Sequence, residues 1–541
     1  MRRALLTLLT ALFAHVLGNG DPKLFILEMS EDEVVSARHV ADHHGFRLIR
    51  RLHSFPNIFV AEQLPQRRKR SLEEIVAEIV TNRKINWAEP VTTFVREKRW
   101  LFSRNNSKSS LPKSILLTGK GVVVAILDDG VDYTHPSLAK SYSPEHSFNF
   151  VSDSSDPLPD DSLDNNHGTH CAGVVAMFPS SFGAGVAPDV SLAALKMLGS
   201  TESINDIVEG DALAYHHEKI DVYSVSWGPR DDGKALEAPR RLASMALERG
   251  VNQGRQGKGS LYVWASGNGG LEDDDCAMDG YASHKHTLTF GVIGSNGKPE
   301  WYAEGCPAVL ASIPSDSASR WTTEVGGGFS KFSGSSAAAP FAAGILALLL
   351  QAKPELTQRD VQHLLVHSSQ SEELVSLNPV EWQRNGAGLY VSRHFGFGAL
   401  NRDELLSMAA SWKPVSAENT CIQELNNGLF SSDIPFETTF KVNCKAITVV
   451  ERVQLVVSLS HPRRGDVQIE LVSPAGTATQ MMRPRKNDNS SDGLTDWAFV
   501  SLHTWGENAS GNWTVRVMDM GMTRGGGQLT KTTLLIHGTS R

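Results

Sequence analysis

The sequence predicts an α/β domain with a parallel sheet and helices on both faces, preceded by a small α/β module and followed by an all-β sandwich. Three observations predict this arrangement. Between residues 100 and 412, strand-like runs such as VVVAIL, SLAALK and TLTFGVI alternate with helical segments, as in parallel sheets. Residues 413–541 contain short alternating segments separated by Gly, Pro, Asn and Asp turns, which is typical of β-sandwiches. Residues 21–99 carry strand runs such as FILEM and NIFVAEQ around two amphipathic helical stretches.

The composition describes an ordinary globular chain. Of 541 residues, 40% are hydrophobic and 21% are charged, and the net charge of −8 argues against a nucleic-acid-binding surface. The five cysteines show no metal-binding spacing. We therefore expect neither a nucleic-acid partner nor a cysteine-bound metal.

The N-terminus has the features of a signal peptide, which we place at residues 1–20. Met1-Arg2-Arg3 supplies a charged start, and ALLTLLTALFAHVLG is a short apolar core. This stretch is too short for a comfortable membrane span, and a buried N-terminal helix is the alternative interpretation. No later stretch of the sequence is apolar enough to cross a bilayer, so the chain is expected to enter the secretory pathway without a membrane anchor.

Three motifs carry residues for nucleophilic catalysis. Asp128 ends a buried strand, where open α/β sheets place their sites, and His167 lies at the mouth of a helix. Two serines, Ser335 and Ser336, follow Gly334 at the start of an apolar helix, with Pro340 expected near that start. A serine nucleophile needs a base, and the base needs a carboxylate. Each motif alone also fits an ordinary core element, but the order Asp, His, Ser is that of subtilisin.

Five motifs, LDDGVD, HGTHCAG, SWGPRDDGK, WASGNGG and GSSAAAP, closely resemble the kexin/furin-type proprotein convertases of the subtilisin class. The resemblance runs from the N-terminal module, which it identifies as a prodomain, to the C-terminal sandwich, which it identifies as a P domain. It implies that Asp128, His167 and Ser336 form the catalytic triad and that Asn268 supplies the oxyanion-hole side chain. The activity implied is a calcium-dependent serine endoprotease that matures secretory precursors at Arg-Xaa-Lys/Arg-Arg sites.

Two basic runs interrupt the N-terminal region, and outside this family they would be read as solvated surface. The resemblance makes them cleavage sites. It implies self-activation by a cut between Arg99 and Trp100, and a later inner cut between Arg70 and Ser71. The prodomain between residues 21 and 99 would then act as a folding aid and an intramolecular inhibitor.

The resemblance also assigns side chains to pockets for basic substrate residues, which need charge-assisted partners. Counting back from the cut bond, these are Asp231 and Asp279 for the first residue, Asp129, Asp164 and Asn165 for the second, and Glu209 and Glu237 for the fourth. Two segments are expected to be edge strands that pair with an extended substrate, namely Ser226-Trp227-Gly228 and Trp264-Ala265-Ser266-Gly267.

A calcium ion is expected behind the first pocket, because the resemblance makes Asp231, Asp274 and Glu304 its oxygen ligands. A different calcium site of the family is expected to be absent or weakened, since Ser137 and residues 180–183 lack the expected acids and amides. The short segment after Trp100 also lacks an aspartate that the family places there. Phe332 stands where the family usually has a histidine.

The remaining expectations concern cysteines, glycans and partners. The resemblance implies disulfides between Cys276 and Cys306 and between Cys421 and Cys444, with Cys171 left as a buried thiol. Glycosylation sequons occur at Asn105, Asn489, Asn508 and Asn512. We expect the protein to be a monomer. We expect it to act in the lumen of the Golgi or of secretory vesicles, or to be secreted. The alternatives are a subtilisin of broad specificity and a folded but inactive binding protein.

Overall fold

The computed structural model describes residues 24–30, 32, 34–64, 72–99, 117–160, 165–199, 203–314, 320–521 and 526–540. The chain divides into two units. Unit 1 comprises Met1–Phe94, Ser203–Tyr215 and Arg240–Ala246. Unit 2 comprises Val95–Glu202, His216–Pro239 and Leu247–Arg541. The predicted signal peptide and the inner cleavage site at Arg70 lie outside the described residues.

The helices of the described part, in chain order, are α1 (Val34–His43), α2 (Leu72–Ile79), α3 (His167–Ala176), α4 (Asp206–Ala214), α5 (Arg241–Gly257), α6 (Ser335–Ala352), α7 (Gln358–Ser368), α8 (Glu372–Leu377) and α9 (Arg402–Ala410). Short 3₁₀ turns occur at Pro144–His146, Gly270–Glu272, Cys276–Met278, Pro379–Glu381 and Arg464–Asp466.

The strands of the N-terminal half are β1 (Leu24–Met29), β2 (Phe46–Arg51), β3 (Ile58–Gln63), β4 (Ile85–Pro90), β5 (Thr93–Val95), β6 (Glu97–Lys98), β7 (Val123–Asp128), β8 (Phe148–Asn149), β9 (Ser191–Lys196), β10 (Ser203–Asn205), β11 (Val222–Val225), β12 (Trp227–Gly228), β13 (Leu261–Ala265) and β14 (Thr287–Ile293). Those of the C-terminal half are β15 (Val309–Pro314), β16 (Arg320–Glu324), β17 (Gly328–Phe332), β18 (Gln383–Arg384), β19 (Tyr390–Val391), β20 (Asn419–Glu424), β21 (Gly428–Ser431), β22 (Phe436–Val442), β23 (Val449–Ser460), β24 (Val467–Val472), β25 (Ala478–Met482), β26 (Leu494–Ser501), β27 (Gly511–Asp519) and β28 (Gly526–Thr539).

Unit 1 is built on an antiparallel sheet with strand order β2-β3-β1-β4. Leu27 and Phe59 from the sheet and Ile75 from α2 share one buried core, as the strand and helix patterns of the sequence predict. The same unit includes α4, whose Asp211 carboxylate accepts the backbone N–H groups of His53 and Ser54 at 3.0 and 2.6 Å. The N-terminal module is therefore bonded to α4 through main-chain donors.

Unit 2 contains a seven-stranded sheet with the order β15-β14-β13-β11-β7-β9-β8, and its strand pairs are parallel. Every residue of β13 and β14 is buried. Successive strand residues point to opposite faces, so both faces of the sheet are covered. The predicted parallel α/β domain is confirmed. The expectation that no later stretch is apolar enough to cross a bilayer is wrong for α6, which among the described residues is the only helix long and apolar enough by composition. It is mostly buried in the core.

The C-terminal part of unit 2 forms two antiparallel sheets. One contains β20, β28, β23 and β26, with β21 also on β28, and the other has the order β22-β27-β24-β25. In β24 every second residue is buried, and buried Ile469 and Leu471 lie opposite buried Val517 and Val515 of β27. This alternation is that of a sheet packed on one face, and the predicted β-sandwich is confirmed.

The cysteines pair as the resemblance implies. The structure joins Cys276 to Cys306 beside the parallel sheet and Cys421 to Cys444 in the sandwich. Cys171 on α3 is a buried thiol.

Candidate active site

Asp128 and His167 form a buried pair at the C-terminal end of the sheet. Asp128 is the last residue of β7 and His167 the first of α3, and both side chains are at most 1% exposed. The Nδ1 atom of His167 lies 2.8 Å from Oδ2 and 2.9 Å from Oδ1 of Asp128. This contact fixes the imidazole orientation and leaves Nε2 as the nitrogen that can accept a proton.

Ser336 is the second residue of α6 and is fully buried. Its Oγ donates a hydrogen bond to the backbone oxygen of Ser226 at 3.1 Å. Pro340 is the sixth residue of α6, further into the helix than we expected. Because proline has no N–H, it leaves the Ser336 carbonyl without its helical donor, and the Ser226 Oγ donates to that carbonyl at 3.0 Å. The proline thus allows a side-chain bond that anchors the nucleophile turn.

Asn268 is held beside the same turn. Its Oδ1 accepts the backbone N–H of Ser335 at 3.0 Å, which leaves the side-chain Nδ2 as its donor group. The backbone N–H of Ser336 donates to the carbonyl oxygen of Arg99 at 2.8 Å. The carbonyl of the predicted cleavage site therefore accepts a hydrogen bond from the predicted nucleophile's own N–H, as in an oxyanion hole.

Residues 96–99 occupy the site as a short extended strand. β6 pairs antiparallel with β12, with Lys98 opposite Trp227 and Glu97 opposite Gly228. The N–H of Arg99 also donates to Ser226 O at 3.0 Å. The predicted strand pairing at Ser226–Gly228 is therefore present. The second predicted edge segment is different, because β13 is an inner strand of the sheet, although its Ala265 oxygen accepts a bond from Arg99.

The Arg99 side chain is 1% exposed and contacts two acids. Its Nη2 donates to Asp279 Oδ2 at 2.5 Å and lies 3.4 Å from Asp231 Oδ1. Burial alone would lower the pKa of Arg99, but the charges of Asp231 and Asp279 raise it above its ordinary value. Gly228 is required here, because a Cβ at this position would lie 2.3 Å from Arg99 Nη2. The pocket thus fits a fully charged arginine.

Lys98 points to the acid that follows Asp128. Its Nζ donates to Asp129 Oδ2 at 2.7 Å and to Asn165 Oδ1 at 3.1 Å. Asp129 also accepts the N–H groups of His167 and Gly168 at the start of α3, at 3.2 and 2.8 Å. Burial and the Asp128 charge raise the pKa of Asp129, while Lys98 acts to lower it. Asp164 lies outside the described residues.

Arg96 is also buried and paired. Its Nη1 donates to Glu237 Oε2 at 2.7 Å, and its Nη2 donates to the Tyr281 hydroxyl at 2.7 Å. The guanidinium lies 4.8 Å from the Tyr281 ring centre, a cation–π distance. Glu209, the other acid assigned to this pocket, is buried on α4 in unit 1.

Three carboxylates lie behind the Arg99 pocket, of which Asp274 and Glu304 are buried and Asp231 is partly buried. Asp231 accepts the N–H of Asn268 at 2.8 Å, Glu304 that of Gly269 at 2.9 Å, and Asp274 that of Gly233 at 2.8 Å. These bonds hold three oxygen-bearing side chains to two segments, one with Asn268 and Gly269 and the other with Gly233.

The negative charges of these carboxylates repel one another. Burial raises the pKa of Asp274 to about 6, and the nearby Asp231 charge adds to the rise. Burial, Asp231 and Asp274 raise the pKa of Glu304 well above its ordinary value. Arg485 from the sandwich offsets part of this charge, with Nη1 3.1 Å from Asp274 Oδ1. This donor set of hard oxygens with surplus negative charge fits a calcium ion.

Phe332, the departure from the family histidine, lies between two histidine–carboxylate pairs. Its buried ring is 5.4 Å from the His167 ring, nearly edge to face, and 5.1 Å from the ring of His170. His170 Nε2 lies 2.8 Å from Glu324 Oε2, and this contact helps lower the pKa of Glu324 to about 2 although burial opposes it. Phe332 therefore separates the His167–Asp128 pair from a second polar pair with an apolar ring.

Cys171 lies one helical turn after His167. Its Sγ is 4.0 Å from His167 Nδ1 and 3.9 Å from the backbone carbonyl oxygen of Ser336. Burial and the Asp128 charge raise the pKa of Cys171 well above its ordinary value, so the thiol is neutral. Its side chain packs between α3 and α6 as a weak donor.

The region where a calcium site is expected to be lost is held by aromatic packing. The Phe182 ring stacks on Phe329 with centres 4.5 Å apart, and Phe178 N–H donates to Ser137 O at 2.8 Å. The loss of that calcium site stays a prediction.

Three of the sequons lie on exposed asparagines. Asn489, Asn508 and Asn512 are exposed on the sandwich, as glycan attachment requires, and Asn105 lies outside the described residues.

Sequence reasoning does not single out three side chains that the structure brings to the site. Tyr281 contacts Arg96, Arg485 contacts Asp274, and Arg230 lies beside Glu97. Tyr281 follows the predicted Asp279 by two residues, which is a signal that could have found it. Arg485 is 211 residues from Asp274 and has no local signal.

The comparisons with known proteins agree with this geometry. Residues 119–398 match the family model described as the Subtilase family, residues 450–536 the proprotein convertase P-domain, and residues 24–99 the peptidase S8 pro-domain. The chain belongs to the subtilase family. Within it, the P domain and the relatives below make it a kexin/furin-type convertase and a serine endopeptidase.

The convertase is similar to several curated proteins. It is 39% identical to "Endoprotease aex-5" of Caenorhabditis elegans over 530 residues, which cover 96% of both chains. It is 40% identical to "PC3-like endoprotease variant B" of Hydra vulgaris over 74% of this chain and 59% of that protein. It is 39% identical to "Proprotein convertase subtilisin/kexin type 6" of Rattus norvegicus over 78% of this chain. The match covers about half, 47%, of the rat protein.

Solved structures share the fold. The crystal structure of the serine protease of Aeromonas sobria in complex with its chaperone matches with a TM-score of 0.70 at 23% identity, over 79% of this chain and 89% of that one. Fervidolysin from Fervidobacterium pennivorans matches with a TM-score of 0.55 at 13% identity, over 93% of each chain.

Proposed function

We propose that this convertase is a calcium-dependent serine endoprotease that cleaves secretory precursors after Arg-Xaa-Lys/Arg-Arg and activates itself by cutting after Arg99. The observation that carries the proposal is the position of residues 96–99. The Arg99 carbonyl accepts the Ser336 N–H at 2.8 Å, while Arg96, Lys98 and Arg99 each meet an acidic side chain. The chain's own processing sequence is bound as a substrate would be.

In this proposal the chemistry is that of an aspartate, histidine and serine triad. His167, oriented by Asp128, takes the proton of Ser336 Oγ as it attacks the Arg99 carbonyl carbon. The Ser336 N–H and the Asn268 side chain hold the developing oxyanion, and removing one such donor typically costs about 10²–10³ in rate. Protonated His167 then gives its proton to the leaving amine of residue 100. Water, deprotonated by His167, releases the acyl group.

Calcium supports the first pocket in this proposal. Asp231, Asp274 and Glu304 are the residues that would hold it, and Asp231 also faces the bound arginine. The ion supplies positive charge that keeps these carboxylates ionised without mutual repulsion. Asp231 would then stay charged and in position for the substrate arginine.

The cellular setting follows from the same proposal. The prodomain remains in the site as an intramolecular inhibitor until it is released, and the substrates are precursor proteins with clustered basic residues. The predicted signal peptide and the convertase relatives support action in the secretory pathway or after secretion.

A subtilisin of broad specificity is disfavoured by the charge of the pockets. Asp129, Asp279 and Glu237 each pair with a different cation of the bound strand, whereas apolar substrate residues would leave these acids unpaired. Peptides with arginine or leucine before the cut bond distinguish the two functions, because a broad protease cleaves both.

The test of the proposal is expression of the full chain beside Ser336→Ala, followed by sequencing of the N-terminus of the largest secreted species. The proposal expects the wild type to begin at Trp100 and the variant to keep its prodomain. If both begin at the same residue, another enzyme makes the cut, and the inactive-binder alternative replaces this proposal.

A further inference from the structure

Glu97 is the third residue of the bound sequence, counted back from the cut, and its partner is a basic side chain instead of an acidic one. Arg96, Lys98 and Arg99 face acids, whereas Glu97 Oε1 lies 3.4 Å from the Nε of Arg230. The two side chains are 38% and 51% exposed. A basic side chain of the enzyme therefore faces this third position.

The backbone fixes where Arg230 stands. Gly228 lies opposite Glu97 in the β6–β12 pairing, and Arg230 follows Gly228 by two residues. On its other side, Asp231 is held by the Asn268 N–H at 2.8 Å and faces Arg99. The Arg230 main chain is thus tied at both ends to residues that bind the substrate strand.

We propose that Arg230 makes the third subsite selective for an acidic residue, so that preferred precursors carry Arg-Glu-Lys/Arg-Arg or Arg-Asp-Lys/Arg-Arg. The inference rests on the proposed function and names the substrate class more narrowly. An acidic third residue pairs with Arg230, and a lysine there faces a like charge. The chain's own Arg96-Glu97-Lys98-Arg99 has this composition.

The expected effect is modest because the pair is partly exposed. Surface ion pairs and like-charge contacts of this kind change kcat/KM by a few-fold each, so a glutamate-to-lysine change at the third position should lower kcat/KM about five-fold. The preference should shrink in 0.5 M salt, where the Debye length falls to about 4 Å. Preferences in the buried first and second subsites should change less with salt.

The first experiment uses mature enzyme and three fluorogenic peptides with Arg-Glu-Lys-Arg, Arg-Gln-Lys-Arg and Arg-Lys-Lys-Arg before the cut. We expect kcat/KM to fall in that order for the wild type and to rise in that order for Arg230→Glu. Lys298→Glu is the matched control, because it reverses an exposed charge in the turn that follows β14, and it should keep the wild-type order. Equal kcat/KM for the three peptides, or the same order in Arg230→Glu, overturns the inference.

A second experiment covers the case in which Arg230→Glu matures poorly. In the full chain, Glu97→Lys and Arg230→Glu should each slow self-cleavage, and the double variant should restore most of the rate. A double variant as slow as the product of the two single effects overturns the inference. If no basic peptide is cleaved at all, the proposed function fails and this inference fails with it, whereas equal cleavage of all three leaves the proposed function standing.

Discussion

Replacing Asp279 by asparagine tests the first pocket with the smallest change in shape. Asp279 Oδ2 accepts the Arg99 Nη2 donor at 2.5 Å, and Oδ1 accepts the backbone N–H groups of Tyr281 and Ala282 at 2.7 and 3.2 Å. An asparagine oxygen can still accept those two backbone donors. The change therefore removes the charge facing Arg99 and leaves the turn intact.

The magnitude follows from the burial of the pair. Arg99 is 1% exposed, and removing one partner of a buried ion pair costs about 3–5 kcal/mol. Asp231 remains 3.4 Å from Arg99 and retains part of the attraction, which favours the lower end of that range. At 1.36 kcal/mol per factor of ten, a loss of about 3 kcal/mol slows self-cleavage about 100-fold.

Pulse-labelling of the full chain, followed by conversion of the proform to the form beginning at Trp100, measures this rate. Asp273→Asn is the matched control, since Asp273 lies on a neighbouring turn, is 54% exposed and pairs with Lys486. It should process at the wild-type rate. Thermal unfolding of the unprocessed Asp279→Asn chain, compared with Ser336→Ala, checks that it has folded. A folded Asp279→Asn chain that processes within three-fold of wild type refutes the role of this pair.

Three further predictions concern Phe332, the junction with the sandwich, and calcium. Phe332→Leu should lower kcat about three- to ten-fold with little change in KM, because an aromatic contact worth about 0.5–1.5 kcal/mol no longer orients His167; an unchanged kcat in peptide assays contradicts this. Glu451, buried beside Arg359 and His363, has its pKa lowered to about 2 by these partners although burial opposes it. Its contribution of about 3 kcal/mol is present above pH 4.5 and lost as pH falls towards 2, so calorimetry of Glu451→Gln should show lower stability at pH 7 and a smaller loss between pH 5 and 2. Chelation of calcium should abolish peptide cleavage, and calcium but not magnesium should restore it; full activity in chelator excludes the ion from the first pocket.

The sequence predicts the parallel strands well because they are buried on both faces. The run TLTFGVI becomes β14 without a change of boundary, and SLAALK becomes β9. However, an apolar run predicts that a strand is buried and does not predict which strands lie beside it in the sheet. For this reason the prediction of an edge strand at Trp264 and Ala265 is wrong, because β13 lies inside the sheet between β11 and β14.

The candidate site divides in the same way. The local sequence pattern predicts a strand end at Asp128 and helix starts at His167 and Ser336. The sequence alone therefore points to these three residues. Arg485 and Arg230 act through contacts made only in the folded chain. Arg230 is basic, whereas the residues expected around the substrate are mostly acidic. The reason for its positive charge becomes visible only in the folded chain, where it lies beside Glu97.

The charges around Arg99 make the stabilisation by calcium differ between the proform and the mature enzyme. With the prodomain in place, the Arg99 guanidinium lies close to Asp279 and Asp231 and opposes the rise in the pKa of Glu304. When the cleaved peptide leaves, the same carboxylates lose that positive charge, and their repulsion grows. A cation bound by Asp231, Asp274 and Glu304 then has more negative charge to offset. We therefore expect chelator to lower the unfolding temperature of the mature enzyme more than that of the Ser336→Ala proform, and equal shifts would contradict this coupling.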